Sequence, residues 1–371
     1  MKPMSLQVFP TARLRASPFL ASAVADGARV ASVYNRMILP ASFGDPEAEY
    51  RRLVEGVSMW DVGAQRQVEI AGPDAARLAQ VLSVRDLSAQ AVGQGKYAPV
   101  CDHDGTLLND PVVLKLATDR YWFSIADGDL TLWAKAVAAE RGLDARVGEA
   151  DAAPMAVQGP KAEDVVADLL GDWVRSIRYF WFQRTDLDGI PILVARSGWS
   201  KQGGFELYLL DPSRGADLWD RVKAAGRRYG IGPGGPTTPE RTESGLVSVG
   251  GDTDARTNPF EVRLERFVDL DLPDEVIGIP ALRQIKDEGP RRRQKGIVLE
   301  GDGPAPLGLA WEAVEKDGRR IGDMTNCVWS YRMKANIGYA LVEAASAPGD
   351  RVAVRREGGP VAAELCELPF R

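Results

Sequence analysis

The sequence predicts an α+β protein of two or three domains, the last of which is a small all-β barrel or sandwich. Three observations support this fold class. The chain has 371 residues, more than one small domain needs. Segments of helical periodicity are interspersed with segments in which apolar and polar residues alternate, as they do in strands. After about residue 280, short alternating segments and glycine turns dominate to the C-terminus.

The composition is that of an ordinary folded protein, and it excludes several kinds of chemistry. Hydrophobic residues make up 45% of the chain and charged residues 26%. The net charge of −6 argues against a general nucleic-acid or membrane-surface role, because both favour a basic surface. One histidine and three scattered cysteines supply few metal ligands, so no metal site is predicted. The lack of a disulfide framework, a signal peptide and a long apolar run predicts a cytoplasmic protein.

Local patterns predict the elements in chain order. Glycine, proline and Asp-Gly pairs mark their ends. The predicted elements are a strand at 67–72, a helix from Asp74 to about Ser83, a hairpin over 97–117 turning at Asp104-Gly105, a second hairpin turn at Thr118-Asp119, helices at 129–141 and 160–171, two strands over 189–210 joined through 197–204, an amphipathic helix at 215–229, and a short helix opened by a capping box of Thr237 and Glu240.

The segment 197–208 is the most informative part of the chain. It runs through a glycine-containing loop into a strand on which Phe205 and Leu207 share one face. Glu206 and Tyr208 share the other face, because successive side chains of a strand alternate. A carboxylate and a phenol beside such a loop indicate either a polar ligand site or an exposed strand face. A carboxylate pairs well with an amidine-like N–H edge, such as that of a pteridine ring.

Asp110 is a candidate for proton or orientation work. It follows two apolar residues and Asn109, and it precedes Pro111 and an apolar strand. The proline disfavours a helical conformation at Asp110, so the carboxylate is expected at the end of an extended segment. A partly desolvated acid in such a place is often functional. The alternative is an aspartate that only caps a loop.

Aromatic and basic residues are clustered in two places. Trp173 opens a group of five aromatic residues within ten positions, and Trp199 and Tyr208 follow. This group indicates either core packing or an aromatic pocket for a flat ring or a methylated cation. The run 290–295 contains four basic residues. It indicates either a solvated loop or a surface that attracts an anionic cofactor tail.

Together these segments resemble the glycine-cleavage T-protein superfamily of tetrahydrofolate-dependent enzymes. The similar pieces follow the family order over nearly the whole chain, and within the superfamily the chain is most similar to the dimethylsulfoniopropionate demethylases. The pieces similar to the superfamily are residues 60–62, 72–75, 105–110, 158–160, 197–206, 241–245, 258–261, 318–322 and 337–341. Those similar to the demethylases are residues 33–35, 61–68, 108–112 and 195–208.

The resemblance implies a fold, a set of domains and a set of site residues. The fold is a folate-binding pair of intertwined α+β domains followed by a C-terminal β-barrel. The implied domains are residues 1–64 with 150–270 for the first, 65–149 for an inserted second, and 278–371 for the barrel. The implied site residues are Asp110 as the catalytic residue near N5 of folate, Glu206, Arg241, Glu243 and Tyr97 at the cofactor, and Lys96, Trp199, Tyr208, Trp173 and Tyr34 at the substrate.

The implied reaction moves a methyl group from a sulfonium such as dimethylsulfoniopropionate to N5 of tetrahydrofolate. Two alternatives stay open. The first is a methyltransferase for another N- or O-methylated donor, or an aminomethyltransferase, which would need a lipoyl carrier protein. The second is a folate-binding protein without turnover. Arg36, Arg263 and residues 269–279 depart from the demethylase pattern, so the donor stays open. The expected partners are the donor and folate, without nucleic acid or membrane, and a homodimer is left open.

Overall fold

Helices and strands are interspersed up to residue 288, and the barrel strands follow. The computed structural model describes residues 11–305 and 310–370. The helices in this part are α1 (Leu20–Ala25), α2 (Pro46–Glu55), α3 (Ala75–Leu82), α4 (Leu130–Glu140), α5 (Ala162–Leu170), α6 (Gly215–Gly226), α7 (Thr238–Glu243) and α8 (Ile279–Glu288). The strands are β1 (Val30–Tyr34), β2 (Met37–Ser42), β3 (Ser58–Asp61), β4 (Gln67–Ala71), β5 (Gly95–Tyr97), β6 (Val100–Cys101), β7 (Leu107–Asn109), β8 (Val112–Ala117), β9 (Arg120–Ser124), β10 (Arg146–Glu149), β11 (Ala153–Gln158), β12 (Phe182–Leu187), β13 (Ile190–Ala195), β14 (Gly204–Leu209), β15 (Gly232–Gly234), β16 (Arg292–Leu299), β17 (Glu312–Lys316), β18 (Arg319–Ser330), β19 (Ala335–Glu343), β20 (Arg351–Arg356) and β21 (Gly359–Cys366).

A six-stranded sheet has the order β12-β13-β14-β11-β3-β15. Its pairs are antiparallel except for β15 and β3, which run parallel. Phe205 and Leu207 of β14 point to its outer face, where they lie in one buried cluster with Leu218 and Trp219 of α6. Burying apolar side chains of this size stabilises the fold by about 1.5–3 kcal/mol each.

A five-stranded sheet has the order β10-β4-β9-β8-β5 and carries its own helices. Val68 and Ile70 of β4 and Phe123 of β9 lie in one buried cluster with Leu78 of α3 and Ala134 of α4. The strand, helix and hairpin predictions for residues 67–141 are therefore confirmed, and so are the strands over 189–210 and the helix from Gly215.

The inner faces of the two sheets pack against each other. Leu114 and Trp122 of the five-stranded sheet lie in one buried cluster with Leu193, Ala195 and Tyr208 of the six-stranded sheet. The molecule therefore has four layers here, with helices outside and two sheets inside. Any polar side chain on an inner face is removed from bulk water.

The C-terminal strands close into a barrel of order β16-β19-β18-β17-β20-β21. Its interior is apolar, with Ile297, Val314 and Val354 fully buried. The first barrel strand begins at Arg292, whereas residues 279–288 form α8, whose Ile279 and Leu282 join a separate cluster. The predicted barrel boundary at 278 therefore includes a helix that precedes the closed sheet. As units of folding, the three domains stay a prediction.

The predicted capping box at α7 is wrong, although the helix exists. The Thr237 hydroxyl is buried and makes no hydrogen bond. The Glu240 carboxylate instead accepts hydrogen bonds from Gln202 Nε2 at 2.9 Å and from Ser244 Oγ at 2.6 Å. Gln202, a residue distant in sequence, is therefore a partner of Glu240 in place of the predicted local partner Thr237. No helix in the described residues is long and apolar enough to cross a membrane.

Asp61 is a buried carboxylate that makes no ion pair with any of the described residues. It is 1% exposed, and it accepts hydrogen bonds from Ser17 Oγ at 2.5 Å and from the Gly63 amide at 3.0 Å. Burial raises the pKa of Asp61 to about 6, although both hydrogen bonds oppose the shift. The charged form is therefore costly in the folded state.

Asp61 is expected to make stability fall as the pH rises. In the unfolded chain the Asp61 carboxyl has a pKa of about 4. Its contribution to the stability of the folded state is therefore fully present below about pH 4 and is lost by about pH 6. The total loss in the free energy of unfolding is about 3 kcal/mol. Asp61→Asn should remove this contribution, as shown by thermal unfolding of wild type and variant at pH 4.5 and 7.5. The exposed Asp104→Asn is the control, and an unchanged pH dependence in Asp61→Asn would contradict the assignment.

Candidate functional site

The loop between β13 and β14 is fixed by Gln158 of β11. Gln158 Nε2 donates to the Ser197 carbonyl at 3.0 Å, and its Oε1 accepts from Ser200 Oγ at 2.7 Å. Gly198 has a φ of +147°, and a Cβ there would lie 2.1 Å from the Gln158 amide. Only glycine therefore lets the loop approach Gln158 so closely. The result is a fixed position for Ser197 at the end of the sheet.

Glu206 is a buried carboxylate on the inner face of β14, where the alternation of the sequence predicted it. It is 7% exposed, and Ser197 Oγ donates a hydrogen bond to it. The Tyr208 hydroxyl lies beside it and also stabilises its charged form. Burial nevertheless raises the pKa of Glu206. No cationic side chain of the described chain lies within 4 Å of it, so the carboxylate suits the N–H edge of a ligand.

Asp110 lies between two tyrosines. Tyr97 Oη donates to Asp110 Oδ2 at 2.8 Å. Tyr34 is close enough that the charge of Asp110, after burial, raises the pKa of the Tyr34 phenol. Burial raises the pKa of Asp110 to about 7, with the Tyr97 hydrogen bond opposing the shift. A carboxyl group with this pKa can take up or release a proton at neutral pH.

Tyr179 lies near both Glu206 and a group of residues that the sequence analysis missed. Burial and the charge of Glu206 raise the pKa of Tyr179, and Arg266 opposes them. Arg266 also lies near Tyr97, whose ring packs edge-on against Phe267 at 4.7 Å between centroids. These interactions place Tyr179, Arg266 and Tyr97 near one another, and we call the region around them, together with Glu206 and Asp110, the candidate cleft. Tyr179 belonged to the predicted aromatic group, but nothing in the local sequence singled out Arg266 or Phe267.

Arg241 and Trp199 are brought together below the glycine loop. The Arg241 guanidinium is paired with Asp252 at 2.6 Å, and both side chains are buried. Its Cζ lies 5.7 Å from the centre of the Trp199 ring and 5.7 Å from that of Tyr339. The structure therefore shows Arg241 supporting the loop that carries Trp199. A direct contact of Arg241 with a cofactor stays a prediction.

The structure places Glu243 differently from the expected cofactor contact. Its carboxylate accepts hydrogen bonds from Tyr50 Oη of α2 at 2.7 Å and from Ser330 Oγ of β18 at 2.6 Å. Glu243 is 1% exposed, and Arg332 lies 3.7 Å away. Both oxygens are thus engaged in joining α2, α7 and the barrel. This geometry gives Glu243 a structural role, and its contact with a cofactor stays a prediction.

Two expected substrate residues lie on the outer faces of their sheets. Lys96 pairs with Val113, whose side chain belongs to the outer cluster of its sheet, so Lys96 points away from Tyr97. Its Nζ donates to the Asp86 carbonyl at 2.9 Å. Trp173 packs on the outer cluster of the other sheet and donates to the Leu170 carbonyl at 2.7 Å. Arg85 nevertheless lies close enough to Lys96 to add to the lowering of its pKa by burial. The substrate roles of Lys96 and Trp173 stay predictions.

The basic run 290–295 also has a structural explanation. Arg292 on β16 donates to Glu261 at 2.9 Å and to Asp254 at 3.2 Å. Lys295 lies 3.7 Å from Glu367. Ion pairs within the protein thus occupy Arg292 and Lys295, which disfavours the anion-attracting interpretation of this run.

Comparisons with known proteins agree with this fold. Residues 19–272 match the GCVT N-terminal domain, and residues 292–371 match the glycine cleavage T-protein C-terminal barrel domain. The chain belongs to the glycine cleavage T-protein family. As a member of this family it is a tetrahydrofolate-dependent one-carbon transferase, which confirms the predicted family, fold class, enzyme class and cofactor.

Two proteins similar in sequence and one crystal structure match this chain over at least 90% of its length. The chain is 41% identical over 353 residues to dimethylsulfoniopropionate demethylase from Ruegeria pomeroyi, covering 95% of this chain and 96% of the relative. It is 30% identical over 344 residues to an aminomethyltransferase from Symbiobacterium thermophilum, covering 90% and 91%. The crystal structure of glycine cleavage system aminomethyltransferase T from Bartonella henselae superimposes with a TM-score of 0.85 at 20% identity, over 96% of this chain and 98% of that chain. Because the sequence identity to this crystal structure is only 20%, the superposition supports the fold alone.

Glu243→Ala is expected to destabilise the protein without lowering folate affinity at a temperature where the variant stays folded. The change leaves the Tyr50 and Ser330 hydroxyls without their acceptor, which costs about 2–3 kcal/mol. Denaturant unfolding and folate titration measure the two effects. Tyr50→Phe and Ser330→Ala remove one donor each and serve as comparison variants. Lost folate affinity with unchanged stability would return Glu243 to the cofactor site.

Proposed function

We propose that this chain moves a methyl group from a sulfonium, dimethylsulfoniopropionate or a close analogue, to N5 of tetrahydrofolate. The products are a thioether, 5-methyltetrahydrofolate and the proton that N5 loses. The observation that carries the proposal is the pair of desolvated carboxylates, Glu206 and Asp110, at one cleft with no cation of the described chain within 4 Å of either. The similarity to the Ruegeria pomeroyi demethylase over almost its whole length supports the choice of donor.

The donor and acceptor groups of the cleft fit a reduced pteridine. Glu206 offers a buried carboxylate for a flat N–H edge, and Ser197 keeps its orientation. Asp110, with its hydrogen bond from Tyr97, offers a second polar group that can be neutral or charged near pH 7. Tetrahydrofolate, when bound, supplies the nucleophilic nitrogen. Glu206 would bind the pteridine edge, and Asp110 would lie toward N5.

The protein's own contribution is binding, alignment and exclusion of water. When a sulfonium gives up its methyl group, a neutral thioether leaves, which is a good leaving group, so activation of the donor needs no strong general base. The half-buried rings of Tyr34 and Trp199 are the expected contacts for the cation, which an aromatic face binds with about 0.5–2 kcal/mol without an N–H donor. Tyr208 is 1% exposed and acts through Glu206. Alignment in a dry cleft lowers the barrier by several kcal/mol, on the order of what orientation supplies in general.

A second candidate function is transfer from another methylated or aminomethylated donor. The aminomethyltransferase from Symbiobacterium thermophilum, which matches 90% of this chain, favours it. A third candidate is folate binding without turnover. The test incubates the chain with tetrahydrofolate and dimethylsulfoniopropionate and follows 5-methyltetrahydrofolate by mass spectrometry. Product from another donor only, or from a lipoyl carrier only, supports the second candidate. Folate binding without product from any donor supports the third.

We further propose a cytoplasmic location. Cys101, Cys327 and Cys366 are all unpaired, which suits a reducing compartment. Burial raises the pKa of Cys327 and of Cys366 to about 11, so these thiols stay protonated. The homodimer stays a prediction of the sequence.

Glu206→Ala is expected to weaken tetrahydrofolate binding by about 1–3 kcal/mol, the range for losing a charged hydrogen bond. Titration calorimetry measures the affinity. Ser197→Ala is the matched control, because it keeps the carboxylate but removes its hydroxyl donor, and its loss of affinity should be smaller. An unchanged affinity in Glu206→Ala would exclude Glu206 from the folate site.

Asp110→Asn is expected to lower turnover, on the order of 100-fold, more than it lowers folate affinity. If the ionised carboxylate is the active form, wild-type kcat/KM rises as the pH increases through about 7. The variant should lose this inflection, because the amide does not titrate. Tyr97→Phe is the comparison variant, and by removing a donor to the charged carboxylate it should move the inflection upward. Intact turnover in Asp110→Asn would make the residue structural.

A further inference from the structure

The Phe267 ring contacts two arginine side chains near Tyr97. The Arg266 Cζ is 4.5 Å from the centre of the ring, and the Arg85 Cζ is 5.2 Å from it. The edge of the same ring meets Tyr97, the phenol that donates to Asp110. We call Arg85, Phe267 and Arg266 the arginine clamp. It therefore lies one side chain away from the catalytic candidate.

The two guanidinium groups of the clamp carry no acidic partner. Neither lies within 4 Å of a carboxylate in the part of the chain that the structure describes. Arg85 donates one hydrogen bond, from Nη1 to the Tyr97 carbonyl at 2.8 Å, and Arg266 is exposed. Arg241 and Arg292, in contrast, are paired with Asp252 and Glu261. The clamp therefore lacks the direct ion pair that Arg241 and Arg292 each make.

A third arginine lies near the clamp and has a buried donor without a partner in the described residues. Burial lowers the pKa of Arg85; Asp269 opposes this shift, and Arg266 adds to it with a smaller effect. Burial also lowers the pKa of Arg263, where Tyr339 and Glu265 oppose the shift and Arg266 adds to it, and the Arg263 Nη1 is buried without a hydrogen-bond partner. Like charges at close range repel one another, and a bound anion would reduce this repulsion. Guanidinium groups bind carboxylates with two parallel hydrogen bonds, which makes a carboxylate the fitting anion.

The position of the clamp connects it with both carboxylates of the cleft. Arg266 opposes the effect of Glu206 on the pKa of Tyr179, and it also acts on Tyr97. Tyr179 is 60% exposed, which places this side of the cleft at its opening. A molecule that reaches from Glu206 toward solvent would pass the clamp.

We infer that the arginine clamp binds a carboxylate of a ligand that occupies the cleft, with Arg266 as the principal contact. The inference rests on the proposed function for the identity of that ligand. The carboxylate has two chemical sources, the glutamyl tail of the folate and the acid group of the methyl donor. Phe267, whose ring both guanidinium groups contact, would cover the apolar part of the bound molecule.

The first experiment compares tetrahydrofolate with tetrahydropteroate, which lacks the glutamyl carboxylates. Arg266→Gln should weaken binding of tetrahydrofolate about tenfold and leave binding of tetrahydropteroate unchanged. Arg228→Gln is the matched control, because Arg228 is also an exposed arginine, with its Cζ 4.8 Å from the centre of the Tyr229 ring. Equal losses for the two pterins would overturn the inference, since the clamp would then act without a carboxylate.

The second experiment tests the donor as the source. If the donor provides the carboxylate, Arg266→Gln should raise KM for dimethylsulfoniopropionate about tenfold and leave KM for trimethylsulfonium unchanged, with kcat retained. A carboxylate-selective loss with the folate or with the donor supports the clamp and assigns its source. The inference would be overturned if Arg266→Gln had the same affinity for both pterins, and the same KM for both sulfonium donors, as wild type and Arg228→Gln.

A cofactor-independent probe separates the clamp from the proposed function. Glutarate is a free dicarboxylate, and its binding can be followed by NMR titration of the whole chain. It should bind wild type and Arg228→Gln equally, and Arg266→Gln at least severalfold more weakly. This result would support the clamp even if the wild type produced no 5-methyltetrahydrofolate, in which case only the proposed function fails. Equal glutarate binding by all three proteins would count against the clamp.

Discussion

The packing of two sheets face to face is the constraint on which the rest of the structure depends. Leu114 and Trp122 from one sheet and Leu193 and Tyr208 from the other form a layer that has to exclude water. Glu206 enters the same inner face because it stands between two outward-facing residues of β14. Its altered proton affinity follows from this packing. The site is therefore a consequence of where the apolar layer ends, and no additional structural element is needed to desolvate it.

Charged residues in this molecule divide into those that assemble it and those that face the cleft. Glu243 links α2 and the barrel through Tyr50 and Ser330, and Arg241 is neutralised by Asp252 beneath the loop of Trp199. Such buried pairs are costly to break, because removing one partner leaves the other desolvated. The side chains around the cleft are satisfied by hydroxyl groups or aromatic rings instead. A hydroxyl can reorient when a ligand arrives, whereas a buried ion pair cannot exchange partners cheaply.

Much of the fold and part of the candidate site could be predicted from local sequence. The alternation of β14 placed Glu206 and Tyr208 on one face, and Pro111 marked Asp110 as the end of an extended segment. Residues whose partners lie far along the chain could not be placed in this way. Ser330 follows Glu243 by 87 positions, and no local pattern encodes their contact. The face of Lys96 could not be predicted either, because its strand is only three residues long, too short for alternation to show which face is buried.

The order of the strands also has a consequence for how the chain is made. In the six-stranded sheet, β3 (Ser58–Asp61) pairs with β11 (Ala153–Gln158) and with β15 (Gly232–Gly234). The whole five-stranded sheet lies between β3 and β11 in the chain. During synthesis, β3 thus leaves the ribosome long before either neighbour, and its backbone groups stay unpaired while the intervening segment folds. Pairings of such long separation are slow to form and expose an aggregation-prone edge. A nascent chain paused before residue 153 would therefore be the form most dependent on chaperones.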